Sequence, residues 1–110
     1  IEVYYDQEST SSRKPDAGAK VYLYYNINIT TAFGGLASYE GNGILKYQRH
    51  NTVIKPDSVL YTDYLGKTGF DLKPMDVMSI VAESSYFLNM ITYTVCFHPD
   101  ESLKITFIFS

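Results

Sequence analysis

Apolar and polar side chains alternate along most of this chain, and helical periodicity is nearly absent. A period of two is what a pleated strand imposes, because successive side chains leave opposite faces. Ile1, Val3 and Tyr5 alternate with Glu2, Tyr4 and Asp6, which predicts a first strand with one buried face. The polar run 7–18 contains Pro15 and Gly18 and predicts a loop. Ala19, Val21, Leu23, Tyr25, Ile27 and Ile29 then form the apolar side of a long second strand. Lys20, Tyr22, Tyr24, Asn26 and Asn28 form its other side.

Residues 30–43 are the least regular stretch, with Gly34, Gly35, Gly41 and Gly43 around Leu36 to Tyr39. A crossover between sheets, with a short helical turn, is the expectation there. A short strand is expected over 44–50, and Pro56 suits an edge or a turn in 52–57. Two strands, 58–62 and 68–72, flank Asp63-Tyr64-Leu65-Gly66-Lys67, where Gly66 supplies the positive φ of a tight hairpin. Further strands are expected at 77–83, at 87–97 and, with the cleanest alternation, from Leu103 through Ile105 and Phe107 to Phe109. Seven or eight short strands at even spacing predict an all-β, two-sheet antiparallel β-sandwich, prealbumin-like or Ig-like, forming a single domain over 1–110.

Composition narrows what such a domain does. Of its 110 residues 45% are hydrophobic and 19% charged, a balance that folds rather than staying disordered. The net charge of −3 argues against nucleic acid, which calls for a basic face to displace counterions. No apolar window is long enough to span a membrane as a helix. Cys96, the only cysteine, sits in an apolar run and reads as a buried small hydrophobe. The chain opens on Ile1, so a removed leader or an excised domain is expected, and with it an extracellular, cell-surface or periplasmic location. Asn28-Ile29-Thr30 fits the glycosylation pattern but falls in a strand-like segment.

The order of features resembles the carboxypeptidase regulatory-like and transthyretin-like (prealbumin-fold) modules and the related β-sandwich repeats of bacterial surface adhesins. Val3–Asp6 leads into Pro15-Asp16-Ala17-Gly18-Ala19 and then the strand Lys20–Tyr25. Thr62-Asp63-Tyr64-Leu65-Gly66 follows, with Phe70 four positions on, and then Ile80-Val81-Ala82-Glu83. The resemblance implies a fold more than an activity. The hydrolases of the wider fold end in Tyr-Arg-Gly-Ser, whereas this chain ends Thr106-Phe107-Ile108-Phe109-Ser110. The Lys–Asn crosslink of adhesin repeats has no Asn or Asp to use in the last strand, and Lys20 lies on the polar side of its own.

Other catalytic signals are weak. Ser11-Ser12-Arg13-Lys14 and Lys67-Thr68-Gly69 match two elements of penicillin-recognising enzymes. The first lies in a loop before Pro15, where a helix is required, and the third element is missing. His98, Asp100 and Glu101 share one turn and His50 stands apart, short of a metal site's ligands. No cofactor, metal or catalytic residue is therefore expected. The informative residues are tyrosines on polar faces: Tyr4, Tyr22 and Tyr24, opposite the apolar stripes, are the candidate binding residues. Tyrosine offers a rigid apolar face with a polar tip, suited to proteins and sugars. The expectation is a non-catalytic surface module for adhesion, spacing or assembly, its partner a protein or a glycan at the cell surface. A carbohydrate-binding module using the same tyrosines is the alternative.

Overall fold

The computed structural model describes residues 1–7, 12–30, 37–47, 52–70, 74–100 and 102–110. Every element it defines among them is a strand. They are β1 (Glu2–Gln7), β2 (Ser12–Pro15), β3 (Lys20–Tyr25), β4 (Ala37–Tyr39), β5 (Leu45–Tyr47), β6 (Thr52–Ile54), β7 (Ser58–Tyr61), β8 (Val77–Glu83), β9 (Ile91–Phe97) and β10 (Thr106–Phe109). They form three sheets, ordered β10-β1-β2, β7-β3-β8-β9 and β4-β5-β6. The all-β expectation therefore holds, with ten strands in three sheets in place of seven or eight in two. The pairing is not wholly antiparallel either, because β1 and β10 run parallel, setting Val3 beside Phe107. No described helix is long and apolar enough to cross a membrane.

The four-stranded sheet is the middle layer, and its two faces feed two cores. Val21 and Leu23 of β3, with Met78, Ile80 and Ala82 of β8, meet Val3, Phe107 and Phe109 of the first sheet. On the opposite face Tyr22, Tyr24 and Val81 meet Leu45, with Ala37, Tyr39, Tyr47 and Ile54 packed around them. β3 and β8 are consequently buried on both sides. Such strands read as near-continuous apolar runs, which Val77–Glu83 does; β3 does so only if its tyrosines count as core.

Three departures from the local pattern have identifiable causes. The alternation of the second strand breaks at Asn26, whose φ of 58° turns the chain. Ile27 and Ile29 then join the tyrosine face instead of the Val21–Leu23 face. Ser79 fixes this turn: its Oγ donates to Ile27 O at 2.5 Å and accepts from Ile29 N at 3.1 Å. The polar run expected to be loop contains β2, whose cations sit opposite the first strand; Arg13 Nε donates to Asp6 Oδ1 at 3.2 Å.

The third departure concerns Asp63–Lys67. The tight turn forms, with Gly66 N donating to Asp63 O at 2.9 Å and Asp63 Oδ1 accepting from Leu65 N at 2.9 Å and Lys67 N at 3.0 Å. It does not close a hairpin. Beyond it the chain leaves the middle sheet for β1: Val3 N donates to Gly66 O, Lys67 bridges Glu2, and Thr68 N donates to Ile1 O. No strand forms over Thr68–Phe70, and residues 71–72 of the expected strand lie outside the described residues. The glycine-rich segment yields β4, while Gly34, Gly35 and the expected helical turn around them lie outside the described residues.

Candidate functional site

The three tyrosines expected to share an exposed face do not share one. Tyr4 is half-buried on β1, on the side away from the core, beside Ile108 and Pro15. Tyr22 and Tyr24 lie on the far face of the middle sheet and are buried, at 1% and 0% exposure. Alternation alone predicts an outward face for them, because their stripe carries Lys20, Asn26 and Asn28. The physical reason for the reversal is the small third sheet, which covers that stripe. Tyrosine accepts burial wherever its hydroxyl finds a partner.

Those partners are present. Tyr22 Oη donates to Glu83 Oε2 at 2.9 Å. Tyr24 Oη donates to the carbonyl of Gly43, and Gly43 N donates to Tyr39 Oη at 3.0 Å. Gly43 has a φ of 76°, and a Cβ there would fall 2.6 Å from the Tyr22 ring, so the backbone lies directly on the aromatic face. Burial pushes the Tyr22 phenol well above its ordinary pKa, helped by the hydrogen bond to Glu83. Burial raises Tyr24 likewise, and raises Tyr39 against the opposing Gly43 N–H. These tyrosines form an interlayer hydrogen-bonded network, their rings packed between two sheets and closed to a ligand. Among the described residues no buried side-chain nitrogen or oxygen lacks a hydrogen bond.

A different end of the molecule presents aromatic surface. Where β3 begins, β7 and β8 end and β9 begins, three connections meet: 16–19, 62–67 and 84–90. Asp16, fully buried, ties them together. Its Oδ2 accepts from Ser84 Oγ at 2.5 Å, and its Oδ1 accepts from Ser85 N at 3.0 Å and from Ser85 Oγ. Thr62 Oγ1 donates to Asp16 O at 2.5 Å and accepts from Ala19 N at 2.9 Å. Ser84 Oγ in turn accepts from Tyr86 N at 3.1 Å and Phe87 N at 3.0 Å, which shapes the start of the 84–90 loop.

On this tethered base sit exposed apolar tips. Tyr64 and Leu65 top the 62–67 turn, and Tyr86 and Leu88 top the 84–90 loop, with Leu88 85% exposed. The Tyr86 ring stacks on Tyr5, centroids 3.9 Å apart and planes within 6°, and Phe87 meets both rings edge-on. Tyr86 thus has one face held by Tyr5 while remaining half exposed. A strand expected to start at Phe87 gives Tyr86 and Leu88 no place on an exposed loop. Ser84-Ser85 followed by Asn89 is the signal that marks a loop there, and Asn89 indeed has a φ of 64°.

Among the described residues the remaining polar groups do not converge. His98 Nδ1 lies 4.0 Å from Asp76 Oδ1, both strongly exposed, beside an open cavity of about 490 Å³ lined by Asn26, Pro74, Met75 and Pro99. Among the described residues no three of His, Cys, Asp or Glu come close enough to hold a metal. His50, Glu101 and Ser11 lie outside the described residues. Ser12–Lys14 are strand, not the helix that a Ser-x-x-Lys lysine relies on. Cys96 is half-buried against the first core, and burial raises its thiol pKa. Comparison with protein-family models, with curated proteins and with solved structures finds no match.

Proposed function

We propose that this chain is a non-catalytic β module of an exported or cell-surface bacterial protein, serving adhesion, spacing or protein–protein assembly. The observation that carries it is the loop end just described. Tyr64, Leu65, Tyr86 and Leu88 hold exposed apolar surface on connections tied to buried Asp16, the 84–90 loop through its carboxylate and the 62–67 turn through Thr62 and its backbone carbonyl. Apolar side chains on rigid loops lose little entropy on contact, which suits a protein partner. The finer fold reading belongs to the same proposal: sheets β10-β1-β2 and β7-β3-β8-β9 form a prealbumin-like, carboxypeptidase regulatory-like or transthyretin-like sandwich, to which β4-β5-β6 is an addition. Their shared core and the Asp63–Gly66 turn support it.

A carbohydrate-binding role is the second reading, favoured by the half-exposed Tyr86 ring stacked on Tyr5. Since Tyr22 and Tyr24 are buried, it moves to Tyr86. Glycan titration read by tyrosine fluorescence separates the two and is expected to stay flat, while ester, amide and glycoside substrates show no turnover above buffer. Turnover removes the non-catalytic reading. A saturable fluorescence change lost in Tyr86→Ser replaces assembly with sugar recognition.

A further inference from the structure

Asn42 is the one asparagine of this chain that precedes a glycine. The pair lies in the turn from β4 to β5, with a φ of 54° at Asn42 and 76° at Gly43. Ile44 N donates to Gly41 O at 3.0 Å across it, and Glu40 N donates to Ile44 O at 2.9 Å. A hairpin turn with positive φ at both central positions favours Asn-Gly, because both residues enter the left-handed region at low cost. The same pair is chemically short-lived. No Cβ shields the glycine nitrogen, so it can attack the carbonyl of the asparagine side chain.

The two residues of the pair meet opposite surroundings. Asn42 is exposed, so water reaches its amide. Gly43 is buried and held from three sides. Its N donates to Tyr39 Oη at 3.0 Å, its carbonyl accepts from Tyr24 Oη, and its α-carbon lies on the Tyr22 ring. Attack on Asn42 Cγ therefore requires three events. The Gly43 N–H must leave Tyr39, water must reach it to take the proton, and the peptide plane must turn away from the tyrosines.

We propose that Asn42 is a deamidation site of this chain, and that Tyr39 Oη is the latch that sets its rate. When the latch opens, Gly43 N bonds to Asn42 Cγ and gives up its proton to water. The bond from Cγ to the side-chain nitrogen breaks, and that nitrogen leaves as ammonia. Water then opens the resulting five-membered imide, with no change of oxidation state. Opening at Cγ leaves an aspartate in place of Asn42. Opening at the main-chain carbonyl leaves an isoaspartate, whose backbone is longer by one methylene. That extra length falls beside Gly43, where the turn is pressed on the Tyr22 ring and bonded to Tyr24 and Tyr39. The isoaspartyl turn cannot keep all three contacts, so the third sheet loosens from the tyrosine face. The reaction runs one way and stands independently of any partner at the loop tips.

Incubation at mildly alkaline pH, followed by peptide mass mapping and an isoaspartate assay, tests the latch. The parent should deamidate at Asn42 more slowly when folded than in urea. Tyr39→Phe keeps the ring and frees the Gly43 N–H. It should react roughly fivefold faster than the folded parent, the ratio that one net hydrogen bond sets. Tyr24→Phe frees the Gly43 carbonyl and leaves the latch in place, so it should accelerate the reaction less; this separates the latch from general loosening. Hydrogen exchange on the parent needs no variant: the Gly43 amide should be protected. The isoaspartyl chain, isolated by ion exchange, should unfold at lower urea than Asn42→Asp, which carries the same charge without the added methylene. Equal rates folded and in urea, equal acceleration in both variants, an unprotected Gly43 amide, or equal urea midpoints overturns the proposal.

Discussion

Replacing Tyr24 separates a buried tyrosine from a surface platform. Tyr24 is fully buried, and its hydroxyl donates to Gly43 O between two layers. Tyr24→Phe keeps the ring and leaves that carbonyl short of a donor, at a cost of about 1–3 kcal/mol. Tyr24→Ser removes the ring as well. Deleting a buried aromatic side chain costs about 3–5 kcal/mol, because the cavity refills only in part. A domain of this size has about 5–15 kcal/mol in all. Tyr24→Ser therefore takes a large share of the stability, and Tyr22→Ser in the same cluster adds a coupled loss. Urea unfolding followed by far-UV circular dichroism is the assay. With an m-value of about 1–3 kcal/mol/M, Tyr24→Phe should lower the midpoint by roughly 1 M. Tyr64→Ser, at a site 79% exposed, is the control and should stay within about 0.5 kcal/mol of the parent. A Tyr24→Ser midpoint equal to the parent's would refute the covered-face reasoning.

Raising the pH should destabilise the protein by a defined route. The Tyr22 and Tyr24 phenols are shifted upward by burial, so above about pH 10 unfolded tyrosines lose protons that the folded ones keep. Their contribution is whole below that pH and falls as pH climbs, so tyrosinate absorbance should rise together with unfolding; full titration of all tyrosines before any loss of structure contradicts this. Gly66→Ala should cost more than Gly18→Ala in a thermal melt. Both have positive φ, worth about 1–2 kcal/mol of strain, but only at Gly66 does the new Cβ run into a backbone oxygen, that of Val3. Phe107→Ala should cost about 3–5 kcal/mol by chemical denaturation, since Phe107 fills the first core; an unchanged midpoint places that face outward. Burial raises the Cys96 thiol, so its reaction with a disulfide reagent at neutral pH should be slower in the folded chain than in urea.

Much of the candidate site was within reach of local reading, though its assembly was not. The Asp63 turn is local chemistry: a carboxylate accepting from Leu65 N and Lys67 N, and a glycine at positive φ. Asp16 is different. Its carboxylate accepts from Ser84 and Ser85, nearly seventy positions away, so the sequence shows a turn residue and hides the brace. Tyr86 gains its orientation from Tyr5, even farther away along the chain, so its stacked face has no sequence signature. Tyr4 alone of the expected binding residues points away from the core, and it lies on a different sheet from Tyr22 and Tyr24.

The alternation of Val3, Val21, Leu23, Ile80, Phe107 and Phe109 determined by itself that these residues leave one side of a strand, because the pleat allows no other direction. Direction along a strand says nothing about what lies beyond it. Whether Tyr22 and Tyr24 met water or a third sheet depended on Leu45, Tyr39 and Gly43 folding back over them. Likewise, β1 and β10 run parallel because chain ends a hundred residues apart meet. Such contacts form only when the layers pack, since burial depends on every neighbouring element at once and periodicity on one segment alone.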